Sequence, residues 1–217
     1  MRDIVKLTGM VLKASPVRET DKRLVILTRE RGKITAFARG AKRPGNQLMA
    51  VCRPFVFGQF QLSEGREAYS LYSGEISNYF EELAGDMEAT CYGSYFLELT
   101  DYYTRENVES SQMLLLLYQS LRALLKPALP NTLVQRIFEL RTMMLNGEYT
   151  EHPPEQVGES ANYAWEYVLS VPLESLYTFQ LNSRSFQEFS RCVEKNKRKF
   201  IDREFYSLEI LKTLSDS

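Results

Sequence analysis

Histidine is nearly absent. His152 is the only one in 217 residues, and it stands in a polar stretch beside Pro153 and Pro154 with no Ser or Cys nucleophile in view. A general base needs a partner within hydrogen-bond reach, so a solvated loop residue is the simpler reading. Cysteine is scarce as well: Cys52, Cys91 and Cys192 lie far apart and form no C-x-x-C pair. That spacing argues against a disulfide scaffold and fits a reducing compartment, where each reads as a small buried hydrophobe. Long apolar runs are missing too. The longest, Met113–Tyr118, has six residues, far below the ~18 of a membrane-spanning helix. Arg2 and Lys6 are followed by no unbroken apolar stretch of the signal-peptide kind. A soluble, cytoplasmic protein without a membrane contact is expected. No P-loop, G-x-G-x-x-G, H-E-x-x-H or EF-hand loop occurs, and no two carboxylates carry the spacing of an acid–base pair. Catalytic residues, cofactors and metal ligands are therefore expected to be absent.

What the sequence does contain is an uneven charge. The formal net charge is −1, yet residues 1–80 hold fourteen Lys/Arg against seven Asp/Glu, and 81–217 hold thirteen against twenty-one. A basic segment joined to an acidic one suggests two modules with different partners. Hydropathy patterning changes at the same point. Leu7–Ala14, Leu24–Thr28, Lys33–Arg39, Phe55–Leu62 and Tyr69–Ile76 read as five short strands separated by turns, which predicts a small β-barrel over 1–80. After Ser77 the periods are helical: 86–103, 108–125, 132–145 with Asn131 as N-cap, a helix opened by a capping box at Ser185–Glu188, and a short one over 203–211. The stretch 149–158 reads as a loop. The expected architecture is an α+β chain, a barrel over 1–80 followed by an all-α region over 81–217.

The basic tract carries the strongest chemistry. Residues 29–43 hold Arg29, Arg31, Lys33, Arg39, Lys42 and Arg43 against Glu30 alone, and no acid lies between Arg39 and Arg53. Several cations on a loop that can follow a backbone are what phosphate binding requires, with affinity gained by counterion release. In Lys33–Arg39 the alternation puts Ile34, Ala36 and Ala38 on one face and Lys33, Thr35, Phe37 and Arg39 on the other. Phe37, with Phe57 and Tyr72 as further candidates, offers a stacking surface for single-stranded bases. A merely solvated basic face is the bland alternative. A second group lies on 132–145, where Leu133, Val134, Ile137, Phe138, Leu140, Met144 and Leu145 form one apolar arc with Arg141 inside it and Arg136 at its edge. An arginine so placed snorkels or pairs with a buried carboxylate. The functional alternative is a groove for an apolar peptide ending in a carboxylate, flanked by the two arginines.

Several short motifs fall in a familiar order. Gly9–Lys13, the turn Arg18-Glu19-Thr20-Asp21, Leu27-Thr28 with Gly32-Lys33, and Ala38-Arg39-Gly40-Ala41-Lys42-Arg43 are followed by Arg53-Pro54-Phe55 and Gly65-Arg66. Further on come Tyr92–Leu99, Arg136-Ile137-Phe138-Glu139-Leu140-Arg141 and Phe205–Leu211. Over nearly its whole length the chain resembles the RecO family of bacterial recombination mediators. The resemblance implies an oligonucleotide-binding (OB) fold followed by a helical domain, and a function without bond chemistry. Family members bind single- and double-stranded DNA, anneal complementary strands, and work with RecR and RecF to load RecA onto DNA coated by single-strand-binding protein, SSB. By position, Lys33, Arg39, Lys42 and Arg43 match the family's DNA contacts, with Arg29, Arg31, Phe37 and Arg53 as bottom-up additions. Arg136 matches the arginine associated with the acidic SSB tail, and Ile137, Leu140 and Arg141 complete the expected tail site. The sequence departs from the family in one respect. Many members insert a four-cysteine zinc module after this helix, whereas no cysteine lies between Cys91 and Cys192 here, so no zinc is expected. An OB-fold RNA-binding adaptor is the competing reading, and a metal-dependent nuclease a more distant one.

Overall fold

The computed structural model describes residues 4–215 and divides into two compact units, one comprising residues up to Glu81 with Leu97–Leu114, the other Glu82–Phe96 with residues from Leu115 onward. The first unit is a closed five-stranded barrel of order β1-β2-β3-β5-β4, the connectivity of an OB fold. Its strands are β1 (Ile4–Val17), β2 (Asp21–Thr28), β3 (Gly32–Ala38), β4 (Phe57–Ser63) and β5 (Tyr69–Asn78), with a short helix α1 (Leu48–Val51) between β3 and β4. All pairings are antiparallel except β3 with β5, which pair in parallel at Ala36↔Tyr69 and Phe37↔Ser70.

Closure depends on β1, which pairs with β2 along one part of its length and β4 along the other. A bulge between Val11 and Lys13 lets this 14-residue strand bend. Gly9 lies opposite Gly58 on β4. A Cβ on Gly9 would stand 2.3 Å from the Leu27 carbonyl oxygen, and one on Gly58 2.3 Å from that of Glu75, so backbone passes where any side chain would sit. The interior is filled by Leu7, Val11, Leu24, Ile26, Ile34, Ala36, Ala38, Val56, Phe60, Leu62 and Leu71. Ile34, Ala36 and Ala38 point inward and Phe37 and Arg39 outward, as the alternation predicts. Cys52 is fully buried beneath the barrel, and burial pushes its thiol up to about 11.

The remaining α-helices are α2 (Met87–Tyr103), α3 (Ser111–Leu124), α4 (Asn131–Leu145), α5 (Glu159–Ser170), α6 (Ser183–Phe200) and α7 (Tyr206–Ser215), with short 3-10 turns at Glu81–Gly85 and Leu173–Ser175. In the second unit α4 packs against α5 and α6, burying Leu133, Val134, Ile137, Phe138 and Leu140. Phe138 packs on Phe96 with ring centroids 4.2 Å apart. Two helix starts differ from expectation. Asn131 is the first residue of α4, and its amide donates to Glu88 rather than capping the helix. The cap of α6 is Asn182, whose side chain accepts from the Ser185 N–H at 2.9 Å, while Glu188 reaches out to the Gly158 N–H instead of closing a box. Ser185 is buried and has no room to act as the exposed cap.

Candidate nucleic-acid interface and the buried carboxylate cluster

Strand register assembles the outer face of the barrel. Lys13, Val25 and Thr35 form one cross-strand row, and Ser15, Arg23 and Phe37 the next. Phe37 is 37% exposed beside Arg23, whose guanidinium donates to Thr35 Oγ1 at 3.4 Å. Arg39 follows at the end of β3, and the chain then turns through Gly40 at φ +68°, the left-handed region that favours glycine. The β1–β2 turn holds this loop in place. Asp21 Oδ1 accepts the Gly40 N–H at 2.9 Å, and the Lys42 N–H donates to the Thr20 carbonyl at 2.9 Å. The Gly40 N–H is the main influence holding the Asp21 carboxyl below its usual range, with Thr20, Arg18 and Arg39 adding to it. The Glu-Thr-Asp turn is thus a clamp that presents Lys42 and Arg43 to solvent.

The expected DNA contacts divide into two sets. Arg29, Arg39, Lys42 and Arg43 are exposed, and none of them is in an ion pair among the described residues. Arg31, Lys33 and Arg53 are already engaged: Arg31 lies 3.6 Å from Glu64, and Arg53 reaches Glu81 at 3.1 Å with its guanidinium 5.7 Å from the Tyr79 ring. Lys33 is the most firmly held of the three. Its ammonium donates to Asp101 Oδ1 at 2.8 Å and to the Asp101 carbonyl at 2.7 Å, and its side chain is only 19% exposed. It stands six residues from Arg39, ~20 Å along the strand. Lys33 anchors the last turn of α2 within the barrel unit. Arg29 stands in the β2–β3 turn on the Lys33 side, while Arg39, Lys42 and Arg43 gather at the other end of β3. Arg23 and Lys13, absent from the expected set, stand near them, and the signal for both was strand register.

The second expected site is rearranged more deeply. Ile137 and Leu140 are fully buried and line no surface groove. Arg141 is buried, and its guanidinium donates to the carbonyls of Val168 (2.7 Å), Leu169 (2.6 Å) and Val171 (3.0 Å). It thereby satisfies carbonyls that the end of α5 leaves without helical partners. The two arginines do not flank one groove.

Arg136 instead belongs to a charged cluster built on Glu139, which is fully buried. Glu139 Oε1 accepts from the Tyr95 hydroxyl (2.7 Å), Lys197 Nζ (3.0 Å) and Gln135 Nε2 (3.1 Å), and Oε2 from Arg136 Nη1 (2.7 Å). Glu194 closes the cluster, with Arg136 at 2.9 Å and Lys197 at 3.0 Å. Burial pushes the Glu139 carboxyl up, but Arg136 and Lys197 more than offset it and the net shift is downward. For Glu194 burial is likewise outweighed, first by Lys197 and then by Arg136, and the carboxyl is held down to about 2. Arg136 thus stays charged, and its guanidinium borders an open cavity of about 880 Å³. Lys197, Arg198, Arg203 and Lys212 also line this cavity, with Ile201 and Leu208 as apolar wall and Glu194, Asp202, Glu204 and Glu209 as counter-charge. The basic run 195–199, set in an otherwise acidic region, was the sequence signal for Lys197 and Arg198, and none marked Arg203 or Lys212.

Residues 1–80 match the family described as recombination protein O N terminal, and residues 84–151 its C-terminal counterpart. Among curated relatives, the DNA repair protein RecO of Alkaliphilus metalliredigens (strain QYMF) is 31% identical over 169 residues, 76% of this chain and 67% of that one. The chain belongs to the RecO family. The RecO protein of Acetivibrio thermocellus aligns at 21% identity over 97% of both chains. That of Caldicellulosiruptor saccharolyticus is 33% identical over 68% of this chain, but the match spans only 60% of the relative's length. Membership in a family of DNA repair proteins supports a role in DNA repair and recombination. The two RecO matches take in the barrel, its clamp and α4, and end before α5. Among the described residues no helix is long and apolar enough to cross a membrane, and no group of three or more His, Cys, Asp or Glu stands ready to hold a metal.

Proposed function

We propose that this chain is a non-catalytic mediator of recombinational repair that binds single- and double-stranded DNA through the barrel and anneals complementary strands. In this reading it helps RecR and RecF to load RecA onto SSB-coated DNA in the cytoplasm, at the nucleoid. The observation that carries the proposal is the group of exposed cations Arg39, Lys42 and Arg43, presented by the Asp21 clamp beside Arg23 and the exposed Phe37 ring. Phosphates would meet the cations, and an unstacked base the ring. If about six phosphates are neutralised, log K falls against log[salt] with a slope near about −4 for single strands, at about 0.7 per contact. The triple variant Arg39→Gln/Lys42→Gln/Arg43→Gln should lose about 2 from that slope and weaken all sequences alike, because phosphate contacts carry no base information. Fluorescence anisotropy of labelled oligonucleotides across a salt series measures both, and an unchanged slope removes this loop from the interface. Tighter binding of RNA than of DNA of the same sequence, without strand annealing, would favour the RNA-adaptor reading.

The cavity beside Arg136 supports a second element, docking of the acidic SSB tail. With Arg136 and Lys197 already held by Glu139 and Glu194, the tail's carboxylates fall to Arg203 and Lys212, and its apolar side chains to Ile201 and Leu208. Arg203→Ala/Lys212→Ala should weaken a labelled tail peptide about tenfold while naked-DNA annealing continues. An affinity within twofold of wild type moves the tail elsewhere.

A further inference from the structure

Between Arg141 and Arg184 the sequence holds no lysine or arginine but six glutamates, at 148, 151, 155, 159, 166 and 174. Within this stretch α5 and the segment after it form a cavity of about 410 Å³ lined by Glu159, Tyr163, Tyr167, Phe179 and Gln180 among others. Tyr167 and Phe179 meet edge to face with centroids 5.3 Å apart, and Tyr163 lies 6.2 Å from Tyr167 at an interplanar angle of 31°. The middle ring is fixed. The Tyr167 hydroxyl donates to the Ser175 carbonyl at 3.1 Å and shares a hydrogen bond with Thr178 Oγ1 at 2.8 Å. Tyr163, by contrast, is 67% exposed at the mouth.

A single exposed aromatic residue needs no explanation. Three rings converging on one cavity with a carboxylate at the rim have a specific chemistry, and the cation next to the stretch, Arg184, is paired with Glu188 at 3.4 Å. Their faces carry negative potential and attract an ammonium or guanidinium, arginine most often. Glu159 adds a full charge; it is in no ion pair among the described residues and, in the first turn of α5, offsets the positive helix end that would otherwise welcome an anion. Nucleic acid and anionic lipid are repelled by the same charges. The volume falls in the range of small-ligand pockets and suits one long side chain.

We propose that this cavity receives an arginine or lysine side chain from a basic segment of a partner protein, a docking site separate from the DNA face and the Arg136 cavity. The test uses the full chain and a fluorescent peptide, Gly-Leu-Arg-Pro-Leu-Gly, against the same peptide with neutral citrulline in place of arginine. Anisotropy should show saturable binding of the arginine peptide and at least about tenfold weaker binding of the citrulline peptide. Tyr163→Ala, at an exposed position, should weaken the arginine peptide about fivefold. Glu159→Gln should weaken it about threefold and narrow the gap between the two peptides. Equal affinity for both peptides, no saturable binding, or an unaffected Tyr163→Ala variant overturns the proposal. So does a concentration-dependent dimer in sedimentation that Tyr163→Ala dissolves, since a second copy would then be the occupant.

Discussion

The barrel and the helical unit each present arginines and lysines, and their surroundings make them different objects. On the barrel, Arg39, Lys42 and Arg43 project from a loop and are in no ion pair among the described residues, and the Asp21 carboxylate that holds the loop is turned to the Gly40 N–H. In the helical unit, Arg136 and Lys197 converge on Glu139 and Glu194 and hold helices α4 and α6 together. Free cations exchange counterions for phosphate at little structural cost, whereas caged cations can leave only by exposing a buried carboxylate. Net charge by segment points to the first and says nothing of the second. The division between binding and structural charge is therefore set by where the carboxylates are, not by how many basic residues a segment holds.

The largest effect should come from opening the cage. Glu139→Ala removes four acceptor contacts, strands Arg136 and Lys197 with Glu194 alone, and leaves the Tyr95 hydroxyl unpartnered in the core. Breaking a buried charge group from one side costs about 3–5 kcal/mol. Urea denaturation followed by circular dichroism should show that loss, with Glu139→Gln losing less because it keeps the shape of the side chain and one acceptor oxygen. A loss below about 1 kcal/mol would mean that the cluster is solvated and the contrast with the barrel false.

A smaller effect distinguishes the regions by pH. The Glu194 carboxyl is lowered in the folded chain from 4.5 to about 2, so it binds its proton more readily when unfolded. Its contribution to stability is then fully present above pH 4.5 and is lost as pH falls toward 2. The stability gap between wild type and Glu194→Gln should be widest near neutrality and shrink through this window, read as urea midpoints at a series of pH values. A gap that stays constant down to pH 2 would show that Glu194 acts by shape rather than charge.

Most of the barrel was legible because a strand repeats every two residues, so Ile34, Ala36 and Ala38 could be set against Phe37 and Arg39 from sequence alone. The cation site was legible in composition but not in its limits. Asp101 lies sixty-eight residues from Lys33, and no local pattern announces that pairing. Arg141 was hidden for the same reason, its partners being backbone carbonyls of a distant helix end. α5 was not among the expected helices, although Ala161, Ala164, Trp165 and Val168, all buried, follow helical spacing. The Pro153-Pro154 loop before it marks a break, and Gly158 opens the helix without a side-chain cap that would announce it.

The smallest expected effect is the sharpest test of the comparison. Lys33→Gln removes a basic residue from the strand that carries Phe37 and Arg39, and a reading by composition would have it weaken DNA like any other cation. The geometry gives the opposite expectation. The ammonium already makes two contacts to Asp101, and a phosphate would have to displace a carboxylate that is tethered in place. Asp101 is 38% exposed, so its release costs no more than about 1 kcal/mol and should appear as a slight fall in melting temperature. Affinity for a single-stranded oligonucleotide should stay within twofold of wild type and the salt slope should not move, while Arg39→Gln alone takes about 0.7 from it. If Lys33→Gln reduces the slope by the same amount as Arg39→Gln, Lys33 leaves Asp101 when DNA binds, and the interface runs the full length of β3.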